Sequence, residues 1–269
     1  MKLLTKLKYK LKYYIFSTPQ PQKWVFIAGC SNSGTTLLHS ILSRHPLIGS
    51  LPDEGQFCTN QLPLNRNAGP KRLWAIPPEK MYLTESDYSI NVVKLKKQWS
   101  ARFNYRERPI LLEKSPPNTV RLRWLQANFS NAYFIGIHRN GYAVAEGIHR
   151  KVGHPLERGA QQWSNANKIL LEDFEVLQNK ILISYEKLTE EPETILNEIY
   201  RFLGITPSDE KVICQSYKIQ GKNRKIVNLN PLSFNNLSKK DLEVIEREAR
   251  DMLIKLNYHH NSIIKEVIQ

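Results

Sequence analysis

"WVFIAGCSNSGTTLL", residues 24–38, decides how the rest of the chain reads. Residues 24–28 are an unbroken apolar run of strand length and residues 29–34 are rich in glycine and hydroxyls. Leu37, Leu38, Ile41 and Leu42 then recur at helical spacing until Pro46. Strand, glycine turn and helix predict a βα unit whose loop lies at the carboxyl end of a parallel strand, where open sheets bind ligands. Gly29 and Gly34 keep the spacing of the phosphate-loop pattern G-x-x-x-x-G-K-S/T and Thr36 fills its last position, but Thr35 stands where the lysine belongs. Such a turn aims backbone N–H groups and a helix N-terminus at an anion, and the hydroxyls of Ser31, Ser33, Thr35 and Thr36 add donors. The missing lysine argues against a triphosphate clamp. The later strand ends carry His138 and Arg139, or Tyr185 and Glu186, in place of the aspartate that a Mg²⁺ site needs.

Outward from this unit the alternation continues. "PILLEKSPPN" gives a strand from Ile110 to Glu113 with Lys114 and Ser115 at its end, "TVRLRWLQANF" a helix, "AYFIGIHR" a buried strand and "GYAVAEGIHRK" a helix. "ERGAQQWSNANKILLEDFEVLQ" is a longer helix, "KILISYE" a strand, "EPETILNEIYRFLGI" a helix opening near Pro192, and "LSKKDLEVIEREARDMLIKLNY" a helix capped by Ser238. The order predicts an α/β fold, a mainly parallel central sheet flanked by helices on both faces. Residues 60–108 show weak periodicity and are assigned no element. Arg139, closing a strand that should neighbour the first one, can fork its guanidinium onto a second phosphate.

The chain has 269 residues, enough for one α/β domain with a large core. We place a basic amphipathic leader at 1–20 and the domain at 21–269, across the joint "STPQPQ". Cys30, Cys58 and Cys214 form no C-x-x-C pair, which argues against a disulfide framework and suits a reducing compartment. A net charge of +14 and a pI near 9.6 predict attraction to anions, and no RNA or DNA module motif accompanies them, so nucleic acid is not an expected partner. In the leader "MKLLTKLKYKLKYYIF" the apolar runs are too short for a membrane span. Three readings stay open for it: a cationic segment on an anionic membrane surface, a solvated basic tail, or a first helix packed on the domain. The expected location is cytoplasmic, with peripheral membrane contact through the leader as an option.

At this point the motifs resemble those of the sulfotransferases that use 3′-phosphoadenosine 5′-phosphosulfate (PAPS). "FIAGCSNSGTTLL" is similar to the family's 5′-phosphosulfate loop, Lys/Arg-Ser-Gly-Thr-Thr, and "YFIGIHRNGYAVAEGI" to its 3′-phosphate motif. "ILISYEKLTEEPETILNEIYRFLGI" resembles a third family segment. "EKSPPN" resembles a stretch of the tyrosylprotein and heparan sulfate branches, and "HPLIGSLPDEGQF" one of the tyrosylprotein branch. The resemblance spans residues 24 to about 256 and implies in-line, metal-independent sulfuryl transfer from PAPS to an acceptor hydroxyl, leaving the bisphosphate PAP as product. It implies Glu54 as general base, with Asp53 as close rival, and Lys114 at the leaving oxygen. Ser31, Asn32, Ser33, Gly34, Thr35 and Thr36 fall on the phosphosulfate loop, Arg139 on the 3′-phosphate and Tyr185 near the adenine, with Lys222 on a late loop over the same phosphate.

Two positions depart from the pattern: Asn32 stands where the loop normally has Lys or Arg, and Gly147 where a serine helps grip the 3′-phosphate. Both are expected to weaken the donor grip unless another cation, with Lys114 and His149 as the candidates, offsets them. The acceptor stays open among small molecules, carbohydrates, lipids and peptides, with the basic charge favouring an anionic one. The rival readings are a P-loop small-molecule kinase and a non-catalytic anion-binding protein on the same fold.

Overall fold

A computed structural model describes residues 2–64, 69–76, 81–207, 216–219 and 222–258; the side chains of residues 2–6, 218, 219 and 222 lie outside that description. The apolar run becomes β1 (Lys23–Ala28), which pairs in parallel with β3 (Ile110–Lys114) on one side and β4 (Ala132–His138) on the other. β2 (Ile48–Ser50) and β5 (Lys180–Ser184) complete an all-parallel sheet of order β2-β3-β1-β4-β5. The predicted α/β architecture is therefore present, with β1 at the centre.

Alternation along β1 divides the core. Trp24, Phe26 and Ala28 pack with Trp99 of α3 (Val92–Ser100), Trp124 of α4 (Leu122–Asn128) and Phe174 of α6 (Leu156–Val176). Val25 and Ile27 face Leu38 and Ile41 of α2 (Thr35–Leu42) and Ile199 of α8 (Pro192–Leu203). Both faces of the strand are thus covered, which is why it reads as a continuous apolar run, and each fully buried large side chain contributes roughly 1.5–3 kcal/mol. A third cluster joins α5 (Gly141–Val152), α6 and α10 (Lys239–Lys255) around Tyr142, Trp163 and Leu253. Ser238 caps α10, as the sequence predicts, and Asp241 completes a reciprocal box with it.

Several expectations shift. The helix expected to begin at Thr119 starts at Leu122, because Pro116 and Pro117 open a 3₁₀ turn spanning Pro116–Val120 that holds Thr119 against the glycine loop. The strand expected through Glu186 ends at Ser184, whose side chain accepts from the Lys187 N–H and starts α7 (Tyr185–Glu190). β2 and α3 arise where no element was assigned. α1 (Lys2–Ile15) is a helix held against the domain beside α3, as the packed-helix reading of the leader expects. A two-stranded hairpin, β6 (Tyr217–Ile219) and β7 (Lys222–Arg224), lies beside α2, where Arg44 stacks 4.4 Å from the Tyr217 ring. The short α9 (Asn230–Phe234) follows it.

Candidate functional site

Everything the sequence singles out on the glycine loop sits at the carboxyl edge of the sheet. Ile27 of β1 is in register with Lys114 at the end of β3, and Ala28 with Gly136 of β4, so the loop leaves the sheet between the ends of two strands. Its entry is held by the Gly29 N–H, which donates to Thr119 Oγ1 at 2.9 Å. Gly34 at its exit has φ 98°, and a Cβ there would come within 2.6 Å of Tyr185 Cδ2, so only glycine fits. Gly34 caps α2 without a side-chain bond, which leaves the first N–H groups of that helix directed at the loop. Ser33 Oγ and Asn32 Nδ2 are buried with no hydrogen-bond partner, whereas Ser31 Oγ is already used, accepting from Trp74 Nε1 at 3.2 Å. Thr35 is buried and Thr36 half-buried beside them.

Arg139 is built in from three sides. Its Nε donates to Asn230 Oδ1 at 2.8 Å, its Nη1 to the Asn32 carbonyl at 3.0 Å, and its guanidinium lies 4.2 Å above the Tyr185 ring. Burial pushes its pKa down, and the nearby Tyr185 and Glu186 oppose that. Glu186 anchors the support: its Oε1 accepts from the Asn140 N–H and Asn230 Nδ2, and its Oε2 from the Tyr258 hydroxyl. Tyr185 is buried, its hydroxyl donating to the Val227 carbonyl and accepting from the Leu229 N–H, so it serves as a fixed platform beneath Arg139. Lys222 lies in β7 by its backbone, and its side chain falls outside the described residues.

Two cations that sequence reasoning missed converge on Asn32. Arg72 Nη1 and Lys151 Nζ donate to Asn32 Oδ1 at 3.0 and 2.8 Å. Burial, then the neighbouring Arg72, Arg150, Arg139 and Arg224, push the Lys151 pKa down to about 8. Burial likewise lowers that of Arg72, against a rise from Glu54. The named offset candidates behave otherwise: His149 is bonded through Nδ1 to the His154 carbonyl, and Lys114 faces Glu54. A signal for Lys151 was available, since it lies four residues after Gly147 and so on the same face of α5. Arg72 comes from a stretch without periodicity, docked by Trp74 on Ser31 and by the Ala75 N–H on Gln162 Oε1.

Glu54 and Lys114, assigned complementary roles from the resemblance, are brought together. Lys114 Nζ lies 3.2 Å from Glu54 Oε1, with both side chains mostly buried, and Gln56 Nε2 donates to Glu54 Oε2 at 2.8 Å. Asp53 turns back to accept from the Glu54 N–H at 2.7 Å. Beneath them Glu113 is fully buried: its Oε1 accepts from the Gly55 N–H at 2.8 Å and Ser115 Oγ at 2.5 Å, its Oε2 from Asn118 Nδ2. Asn118 also reaches the Ile27 carbonyl at 3.3 Å, so one buried carboxylate ties the loop carrying Glu54 to the end of β1. His39 of α2 stands near Lys114, and burial, then that charge, push its pKa down to about 4, so it is neutral at physiological pH. Burial also pushes the Cys30 thiol in the loop up to about 12, which leaves it a packing residue without thiolate character.

A cation-rich cradle with unpartnered donors, next to a carboxylate–ammonium pair, is suited to holding a polyanion while a proton moves beside it. Protein-tyrosine sulfotransferase A of Caenorhabditis elegans is 26% identical over 249 residues, covering 86% of this chain and 60% of its own length, so the chain spans about three fifths of that relative. The sulfotransferase domain of a Synechococcus olefin synthase matches with a TM-score of 0.56 at 19% identity, over 86% of this chain and 95% of that one. A Mycobacterium tuberculosis sulfotransferase matches with a TM-score of 0.55 at 16% identity, over 92% and 81%. Both share the fold. The profile of the sulfotransferase family matches residues 25–209, and the chain belongs to that family.

Proposed function

We propose that the protein transfers a sulfuryl group from PAPS to an acceptor hydroxyl, with Glu54 as base and Lys114 at the leaving oxygen. The observation that carries this is the contiguity of the Glu54 and Lys114 pair with the loop cradle: Arg72 bonds to Asn32 and lies within electrostatic reach of Glu54. PAPS supplies the activated sulfuryl group. For holding such a donor, the N–H groups at the start of α2 and the unpartnered Ser33 Oγ suit the 5′ phosphosulfate, and Arg139 and Lys151 suit the 3′-phosphate. Glu54 takes the acceptor proton. Once neutral, it attracts Lys114 less, and the ammonium is freed to balance charge growing on the bridging oxygen. Positioning and charge stabilisation of this sort supply most of the rate when a transition state is loose.

The acceptor class rests on less. The relative's name makes a tyrosyl hydroxyl the first to test, ahead of carbohydrate and lipid hydroxyls. Calorimetric titration with adenosine 3′,5′-bisphosphate, with ADP as control, followed by transfer of radiolabelled sulfate from PAPS to a panel of such acceptors, tests both levels. Binding of the bisphosphate in preference to ADP is expected. No binding at millimolar concentrations would overturn the donor assignment.

A further inference from the structure

α1 has two apolar faces, and the domain uses only one. At about 100° per residue, Tyr9, Tyr13 and Phe16 fall together on one side of the helix axis and Leu7, Leu11, Tyr14 and Ile15 on the other. The first group is fastened by three cations of the domain: Arg102 lies 4.6 Å from the Tyr9 ring, Lys97 5.0 Å from Tyr13 and Arg106 4.2 Å from Phe16. The Ser17 carbonyl, just past the helix, accepts from Ser100 Oγ at 3.0 Å. The second group is left in solvent, with Leu7 64%, Leu11 62%, Tyr14 69% and Ile15 67% exposed. Lys8 and Lys10, both exposed, project on either edge of this stripe. No helix among the described residues is long and apolar enough to cross a membrane, so an apolar stripe edged by lysines on a fixed helix has a different use.

We propose that α1 docks the protein on anionic lipid bilayers, lying in the headgroup plane with Leu7, Leu11, Tyr14 and Ile15 at the acyl boundary and Lys8 and Lys10 on the headgroups. The choice of occupant follows from charge. A second protein surface would bury the stripe but would not require cations on both its edges, whereas an anionic bilayer matches the apolar centre and both basic flanks at once. The chain's net charge of +14 adds long-range attraction of the same sign. The cation–π contacts on the inner face hold the helix in place beforehand, so docking does not have to order it. The proposal is independent of the sulfotransferase chemistry and is tested without it.

The full-length protein is incubated with vesicles of phosphatidylcholine alone and of phosphatidylcholine and phosphatidylglycerol in equal parts, and bound protein is read by flotation. Binding to the anionic vesicles only, weakening with salt, is expected. Leu7→Glu/Leu11→Glu should weaken it by about 100-fold or more, and Lys8→Ala/Lys10→Ala by roughly 10- to 30-fold. All four side chains are exposed, so melting temperature and bisphosphate affinity should not change. Tyr14→Trp supplies an emission probe that should shift to the blue on anionic vesicles. The proposal is overturned if the protein does not float with anionic vesicles, if the two glutamates leave flotation intact, or if the Trp emission does not move. Self-association in the ultracentrifuge that the Leu7→Glu/Leu11→Glu variant abolishes would overturn it too, assigning the stripe to a second copy of the chain.

Discussion

Removing the charge of Glu113 should unfold the protein more readily than removing any group at the rim of the site. The carboxylate is fully buried and accepts from Gly55, Ser115 and Asn118. Burial pushes its pKa up, and the bonds from Ser115 and Asn118, the charge of Arg121 and the Gly55 N–H pull it back. In Glu113→Gln the new amide must face donors whichever way it turns. On one side the Ser115 hydroxyl can rotate to accept but the Gly55 N–H cannot. On the other, Asn118 would have to flip and give up both Arg121 Nε and the Ile27 carbonyl. The larger loss concerns Arg121, which is fully buried with Nη1 and Nη2 unpartnered and has Glu113 and Glu54 as its electrostatic partners. Removing the nearer of the charges that compensate a buried cation costs about 3–5 kcal/mol. For a chain of this size that is a fall in melting temperature of roughly 6–20 °C. Urea and thermal unfolding measure it, and Arg121→Met supplies the control, because the double variant removes the orphaned charge and should lose at least about 1 kcal/mol less than the sum of the single losses. A Glu113→Gln protein within about 1 kcal/mol of the parent, or strict additivity with Arg121→Met, would refute the reasoning.

Two further outcomes concern chemistry and pH. Glu54→Gln should lower kcat by about 10²- to 10⁴-fold in a sulfate-transfer assay while leaving the calorimetric affinity for adenosine 3′,5′-bisphosphate nearly unchanged; an active Glu54→Gln with an inactive Asp53→Asn would move the base to Asp53. Lys151 has its pKa pushed down to about 8, and a bound anion raises it again, so binding takes up a proton above that pH. Affinity for the bisphosphate should therefore be flat below about pH 7 and fall toward pH 10, by at most tenfold per unit, and Lys151→Arg should flatten the fall. In the free protein the sign for folding is opposite: the unfolded chain holds more protons on this lysine between about pH 8 and its ordinary range, so its contribution to stability rises with pH there.

What could be read from the sequence follows from how each element earns its place. β1, its loop and α2 were legible because a strand covered on both faces must be apolar throughout, and the turn after it needs glycine at fixed positions. β2 was not, since Ile48–Ser50 is three residues long and its pairing with β3 is a tertiary fact. α3 hides its period because Leu95 and Trp99 carry most of its burial and Lys94, Lys96 and Lys97, which are half-buried, interrupt the apolar pattern. Glu54 and Lys114 were found through motifs, yet their meeting at 3.2 Å depends on Glu113, which local spacing marks only as a neighbour of Lys114. Arg72 was invisible for a simpler reason: residues 69–76 acquire their place through Trp74 and Ala75 bonding to Ser31 and Gln162, partners far away in sequence.

Asn32 and Gly147, which read in the sequence as two separate losses at the donor site, are in the structure a single arrangement. Asn32 has φ 73°, a left-handed conformation that asparagine tolerates better than most residues, and its amide lies over Gly147, where a Cβ would sit 3.2 Å from Nδ2. A side chain at 147 would crowd the amide, and the amide is what Arg72 and Lys151 share. A lysine at 32, the residue the family pattern calls for, would repel both. The positive charge has thus moved off the loop and onto two groups that arrive from a separate segment and from the last turn of α5, with a neutral hub between them. On the proposed function, the grip on an anion would depend on how residues 69–76 dock as much as on the loop itself, because a glycine loop without a cation of its own lies here among Arg72, Lys151 and Arg139.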